Sequence, residues 1–300
     1  MSDIRDDARD GFEATFGYEA TGVWSAPGAV TLIGDSAGLS ISLAINHRTV
    51  VALGLRDDRH VRVASAWADE LVEIDLGALS PDALGGWAAH PLGIAWTFGQ
   101  HGADLAGVPG FDLFIESDVA VGAGLSASGA LESAVALALN DSWRLGLDLQ
   151  TLAGMVKRPA TMLGNAVLSD CRPVPLDLAR EGLVVLVIDT GVPSAPPRDV
   201  DEQRVLDVVA VLGSDGARAV GELIDDPARL TPQLDLALDT TRENGALGAR
   251  MTGPGRGIAL VDEGDLSRIL VALDGAFAEH GASQPDTYVM TAGFGARREP

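Results

Sequence analysis

Between Asp6 and Phe16 the apolar residues Ala8, Phe12 and Phe16 recur every four positions, which predicts a short amphipathic helix. The pattern then shortens to strand-like runs. Thr21 to Ser25 and Val30 to Ile33 read as strands separated by a turn at Ala26-Pro27-Gly28, and Gly34 to Gly38 reads as a second turn. Leu43 to Ile45 and Thr49 to Leu53 are further strands. Val61 to Val63 and Leu71 to Asp75 alternate apolar with polar, which predicts a sheet with one solvated face. An antiparallel sheet therefore fills the first third of the chain.

Helical spacing returns at Trp87 to Gly99, with Leu92, Trp96 and Gly99 on one face. Phe111 to Val121 is a strand. Ala130 to Leu139 is apolar nearly all round and predicts a buried helix. Leu149 to Met162 is a helix that Pro159 interrupts. Beyond it, Asn165 to Asp170 and the continuous apolar run Leu183 to Ile188 are strands, the second central to its sheet. Val192 to Arg198 reads as a loop. Val200 to Leu212, Ala217 to Leu223, Leu234 to Asn244 and Leu266 to His280 read as helices. Ala249 to Gly257 is a glycine loop before a strand at Ile258 to Val261, and Thr287 to Thr291 is the last strand. This alternation predicts two domains, residues 1–165 and 166–300, with α+β architecture.

The stretch from Val121 to Glu132 (VGAGLSASGALE) joins the strand before it to the buried helix after it. Gly122, Gly124 and Gly129 allow a tight turn and close approach to a ligand. Ser126 and Ser128 place hydroxyls where the helix starts. Unpaired N–H groups and the positive dipole end make such a helix start a seat for phosphate. Three readings fit these residues: a dinucleotide fingerprint with Asp141 as its acid, a serine-rich nucleoside-triphosphate loop, and a strand–helix turn that merely needs small residues. The Walker ending Gly-Lys-Ser/Thr is absent, and Lys157 is the only lysine in the chain.

Composition narrows the partners. The 300 residues carry a formal net charge of −22, which argues against nucleic acid and anionic membrane but not against a nucleotide held by backbone N–H groups. One cysteine, Cys171, allows no internal disulfide framework and fits a reducing, cytoplasmic setting. The charged N-terminus lacks an apolar signal core, and no apolar run is long enough to span a membrane. His47, His60, His90, His101 and His280 show no metal-ligand spacing. Trp67, Trp87 and Trp96 read as core or packing residues rather than a stacking platform.

Three ordered blocks resemble the GHMP kinase superfamily, and its galactokinase branch most closely. They are Ala26 to Gly34 (APGAVTLIG) with Ala44 to Ala52 (AINHRTVVA), Ser117 to Glu132, and Gly245 to Gly257 (GALGARMTGPGRG). Asp170 to Arg172 and Leu186 to Thr190 are also similar. The resemblance implies an N-terminal domain like ribosomal protein S5 domain 2 and a ferredoxin-like C-terminal domain. It implies ATP and Mg²⁺ as cofactors, with Gly122, Gly124, Leu125, Ser126, Ala127 and Ser128 around the phosphates and Ser128 helping to hold magnesium. It places Gly253 beside the substrate. The activity implied is phosphorylation of a sugar, galactose, at its anomeric hydroxyl by a cytoplasmic protein that is a monomer or weak homodimer.

The departures from that family fall on the chemistry. The position of the family's transfer-assisting arginine is Ala29, and the sugar-gripping segment after Gly34 is shortened, with Asp35 standing in for its glutamate. The segment that carries the catalytic aspartate is missing: residues 158–164 hold no carboxylate. Ala127 replaces a serine and Gly129 an alanine. A general base must reach the hydroxyl that it activates. Weak or lost sugar phosphorylation is therefore expected. The alternatives are a non-catalytic relative that binds a nucleotide or metabolite, and a kinase for another small alcohol. Asp170 is read as remote from the chemistry, Asp189 as a turn cap, and Arg250 as facing either phosphate or a structural acid.

Overall fold

The alternating apolar residues after Thr21 pair into a mixed sheet in the computed structural model, which describes residues 3–34, 38–83, 85–192, 200–226 and 231–300. In chain order the elements are α1 (Ile4–Phe16), β1 (Gly22–Gly34), β2 (Ser40–Leu55), β3 (His60–Ser65), β4 (Ala68–Asp75), α2 (Ala89–Gln100), β5 (Phe111–Ser117), α3 (Ala127–Ser142), α4 (Leu149–Val156), α5 (Pro159–Leu163), β6 (Ala166–Leu168) and β7 (Pro173–Val174). There follow β8 (Leu183–Asp189), α6 (Glu202–Ser214), α7 (Gly221–Ile224), α8 (Pro232–Glu243), β9 (Gly248–Gly253), β10 (Arg256–Asp262), α9 (Leu266–Glu279), β11 (Asp286–Met290) and β12 (Arg297–Arg298).

The first sheet runs β12-β1-β2-β5-β3-β4, with β6 on β2 and β7 on β6. Only β3 and β5 pair in parallel. Strands β6, β7 and β12 lie beyond residue 165 and still belong to this sheet. Helix α1 covers one face, its Ala8 and Phe12 packed with Val50 and Ala52. Helices α2, α3 and α4 cover the other, around Trp24, Leu53, Phe98 and Val135. The second sheet, β11-β8-β10-β9, is wholly antiparallel. Its order of connection, β8-α8-β9-β10-α9-β11 with α6 and α7 inserted before α8, is ferredoxin-like, as the resemblance implies. One apolar cluster joins the two sheets, bringing Val30, Ile33 and Leu125 against Val185, Val187 and Ile258.

The Pro27-Gly28 turn predicted from sequence instead lies inside the continuous strand β1, opposite a bulge in β2: Pro27 pairs with Arg48 and Ala29 with Ala44, so Ile45, Asn46 and His47 face Gly28 alone. Proline has no N–H to give to the ladder, so the irregularity falls where one would be missed. The Ala29 N–H is diverted to the Leu125 carbonyl, 2.9 Å away. Leu43 to Ile45 and Thr49 to Leu53 merge into β2. The strand expected to reach Val121 ends at Ser117. The glycine loop expected at 249–257 is a hairpin, β9 and β10, closed at Pro254 and Gly255. The expected loop at 192–198 falls almost wholly outside the described residues, as does most of the turn at 34–38.

Candidate active site

The segment between β5 and α3 folds tightly because three residues take left-handed backbone: Gly122 (φ 87°), Gly124 (φ 76°) and Ser126 (φ 56°). Two are glycines, which do so freely. Ser126 does so at a cost of about 1–2 kcal/mol, a strain that surrounding structure must hold. What holds it is apolar: Ala123 and Leu125 are buried while Gly122 and Gly124 face solvent. The Leu125 carbonyl is also pinned by Ala29, and a Cβ at Gly28 would lie only 2.6 Å from that same oxygen. Ser126 caps α3 without a side-chain cap bond, so the first-turn N–H groups are left for another acceptor.

Two cavities flank this start of α3. On one side, about 340 Å³ is bounded by Trp67, Trp87, Val119, Val121 and Leu131, with Ser128 at its edge. This corrects the packing role expected of Trp67, which is 49 % exposed on the cavity wall; Trp87, on the same wall, and Trp96 both pack against the core of the first sheet. On the other side, about 440 Å³ lies between Ala29, Thr31 and Ser42 of the sheet and Ser126, Lys157 and Arg158. Among the described residues, its lining carries hydroxyls and two cations but no carboxylate.

Helices α4 and α5 deliver those cations. Pro159 does break the expected helix: α4 ends with Lys157 in left-handed backbone, φ 54°, and α5 restarts at the proline. Arg158 folds back over α3. A Cβ at Gly129 would meet its Cδ at 2.9 Å and its Nε at 3.1 Å. Its Nε also lies 3.4 Å from Glu132, which contacts His90 Nδ1 at 3.0 Å.

The third block arrives through Arg256. Its Nη1 is 3.3 Å from where a Gly124 Cβ would be, and its Nε is 3.8 Å from Asp189. Gly253 ends β9 at the same hairpin, with a Cβ position 4.0 Å from the Arg256 guanidinium carbon. Sequence reasoning overlooked Arg256, and named Lys157 and Arg158 without a role. The signal available was the Gly-Arg-Gly step and a lone lysine in a stretch without acids.

The other candidates have structural partners, although Cys171 lines the 440 Å³ cavity and Asp189 lies near Arg256. Arg250 is 4 % exposed and donates to the carbonyls of Met251 and Leu32, tying β9 to β1 rather than facing phosphate; burial lowers its pKa. Asp170 accepts from Arg172 at 2.7 Å, and Asp189 caps Gly191 at 2.9 Å. Burial, and then Asp170, raise the pKa of the Cys171 thiol, which makes it a poor nucleophile. Asp35 lies outside the described residues. No group of three or more metal-ligating side chains occurs among the described residues.

A mixed sheet joined to a ferredoxin-like unit, with a strained glycine–serine loop between two cavities, defines a small-molecule kinase of the GHMP class. Residues 90–169 match the GHMP kinases N-terminal domain, and residues 10–55 the galactokinase galactose-binding signature. A galactokinase of Streptomyces coelicolor is 32% identical over 376 aligned positions, covering 96% of each chain. A galactokinase of Chloroflexus aggregans is 36% identical over 208, covering 60% of this chain and 52% of its own. The crystal structure of Lactococcus lactis galactokinase complexed with galactose superposes with a TM-score of 0.75 at 19% identity, covering 98% of this chain and 100% of that one. A homoserine kinase of Cytophaga hutchinsonii follows with a TM-score of 0.69, 19% identity, and 94% and 99% coverage. The chain belongs to the galactokinase family. The alignment with the Streptomyces protein is longer than this chain's 300 residues, so that relative carries positions with no counterpart here.

Proposed function

We propose that this protein binds Mg-ATP across the loop from Gly122 to Ser128 and a sugar in the 440 Å³ cavity, and that it phosphorylates the anomeric hydroxyl of galactose only slowly. The base would lie in the apolar cavity with Trp67, and the phosphates would cross the first turn of α3 toward Ser126. Magnesium would enter with the nucleotide and meet Ser128, supplying charge stabilisation to the transferring group. Gly253 would stand beside the acceptor. The setting is cytoplasmic, with a monomer or weak homodimer as the working unit; among the described residues no helix is long and apolar enough to cross a membrane.

The observation that carries the slow rate is the acceptor cavity, whose lining among the described residues holds no carboxylate. Phosphoryl transfer rests mostly on position and charge, so loss of a base lowers the rate without removing the reaction. A general base is worth about 10²–10⁴-fold. Coupled ADP release with galactose and Mg-ATP should therefore run at least about a hundredfold below a galactokinase that has its base. A rate within about tenfold of such an enzyme would overturn the reading. Asp35→Asn, run beside it, asks whether that carboxylate supplies the residual rate.

The same described lining favours a second reading, a relative that binds nucleotide and transfers nothing. Calorimetric binding of Mg-ATP with no ADP release from a panel of sugars would select it. Under either reading Trp67→Ala weakens Mg-ATP by roughly tenfold or more, the scale of one lost aromatic–base stack. Unchanged affinity would move the base out of that cavity.

A further inference from the structure

The cavity on the Ser126 side is positive in an acidic protein. A chain of net charge −22 gathers Lys157 and Arg158 there, with no carboxylate among the described lining residues. The sheet wall of this cavity contributes Ala29 and hydroxyls, so both cations come from the α4–α5 junction.

Arg158 has a made seat. Its Cδ and Nε lie over Gly129, inside the distance that any side chain there would need. The Ser126 Oγ fills the rest of that space, 2.5 Å from the same Cβ position. The loop's one strained serine and Arg158 are thus packed together through a missing methyl. Nε leans toward Glu132 at 3.4 Å, and Nη1 toward the Lys157 carbonyl at 3.5 Å, both at the long limit. A guanidinium has five N–H donors, and two weak contacts leave most of them for a ligand.

We propose that Arg158, seated on Gly129, binds the terminal phosphoryl group of the nucleotide at the mouth of the acceptor cavity. This rests on the nucleotide reading above. With the base in the Trp67 cavity, the phosphate chain crosses the start of α3 from the Ser128 edge to the Ser126 edge. Its last group then arrives beside Arg158, where a planar cation matches two phosphate oxygens and meets charge developing in transfer.

The test compares Mg-ATP with Mg-ADP by calorimetry in wild type, Arg158→Ala, Arg158→Lys and Gly129→Ala, each checked for an unchanged melting transition. Arg158→Ala should weaken Mg-ATP by about tenfold, the scale of one charged hydrogen bond, with Mg-ADP little changed. Arg158→Lys should recover part of the loss. Gly129→Ala should also weaken Mg-ATP, but its methyl meets the Ser126 Oγ before Arg158, so Arg158→Ala is the deciding variant. A merely structural arginine would move both nucleotides alike. Discrimination between ATP and ADP that survives in Arg158→Ala overturns this assignment alone. Wild-type protein that binds neither nucleotide overturns the nucleotide reading, and this with it.

Discussion

Replacing Asp112 with alanine lowers the free energy of unfolding by about 3 kcal/mol, read from urea denaturation of the purified protein. Asp112 lies on β5 with its carboxylate 1 % exposed. Arg62 donates to it from Nε at 2.7 Å and Nη2 at 2.6 Å, Arg56 from Nη1 at 3.0 Å, and Tyr18 from its hydroxyl at 2.8 Å. One acid therefore ties β2, β3 and the segment after α1 to β5. Removing one member of a buried charge pair costs about 3–5 kcal/mol, because its partners stay behind uncompensated. The low end applies, since the Arg56 and Arg62 side chains are 20 % and 26 % exposed and water screens them.

The same group sets a pH dependence. Burial raises the Asp112 pKa, but the hydrogen bonds from Arg62, Tyr18 and Arg56 together outweigh it, and the net shift is downward. A carboxylate with a lowered folded pKa binds fewer protons when folded than when unfolded. Its contribution is complete above the unfolded value, near 4, and fades as pH falls through the lower folded value. Asp112→Asn should flatten that part of the acid limb. A loss under about 1 kcal/mol in Asp112→Ala would mean that the network is solvated rather than buried.

Gly124→Asp should weaken Mg-ATP by about a hundredfold or more under the proposed function, with Gly124→Ala losing much less. Gly124 has φ 76°, so any side chain brings strain of about 1–2 kcal/mol, which alanine alone reports. Aspartate adds two further effects. Its carboxylate would stand at the crest of the loop where phosphate charge is proposed to lie, and like charges repel there. That carboxylate would also stand beside the Arg256 guanidinium, whose Nη1 is 3.3 Å from the Cβ position that alanine shares, and would pair with it. Calorimetry on the three proteins separates strain from charge. Equal losses in the alanine and aspartate variants would remove charge from the explanation and place the phosphates elsewhere.

Much of the architecture was legible because local periodicity and burial agree. The buried strand Leu183 to Ile188 and the helix after the glycine loop are apolar on every side, and only a central position satisfies them. The misread elements were those decided by distant partners. Pro27-Gly28 looks like a turn to its neighbours in sequence. It stays within a strand because the chain from Ser40 onward pairs on both sides of it, bulging at 45–47, and Leu125 takes the Ala29 N–H. The hairpin at Pro254 looks like a loop because its glycines are frequent, yet β8 gives β10 a full ladder. Trp67 reads as core by composition, and only the position of α3 makes it a cavity wall.

By itself the sequence determined the tight turn before α3, since glycines at 122 and 124 and a helix start after them are local requirements of backbone geometry. It also showed that residues 158–164 carry no carboxylate, which holds in any fold. Only the tertiary structure decided which cations face the vacant wall. Arg158 meets Gly129, and Arg256 meets Gly124, across separations in sequence that no periodicity encodes. Side chains so far apart find one another through the packing of whole elements, and a pattern read along the chain carries no record of that packing.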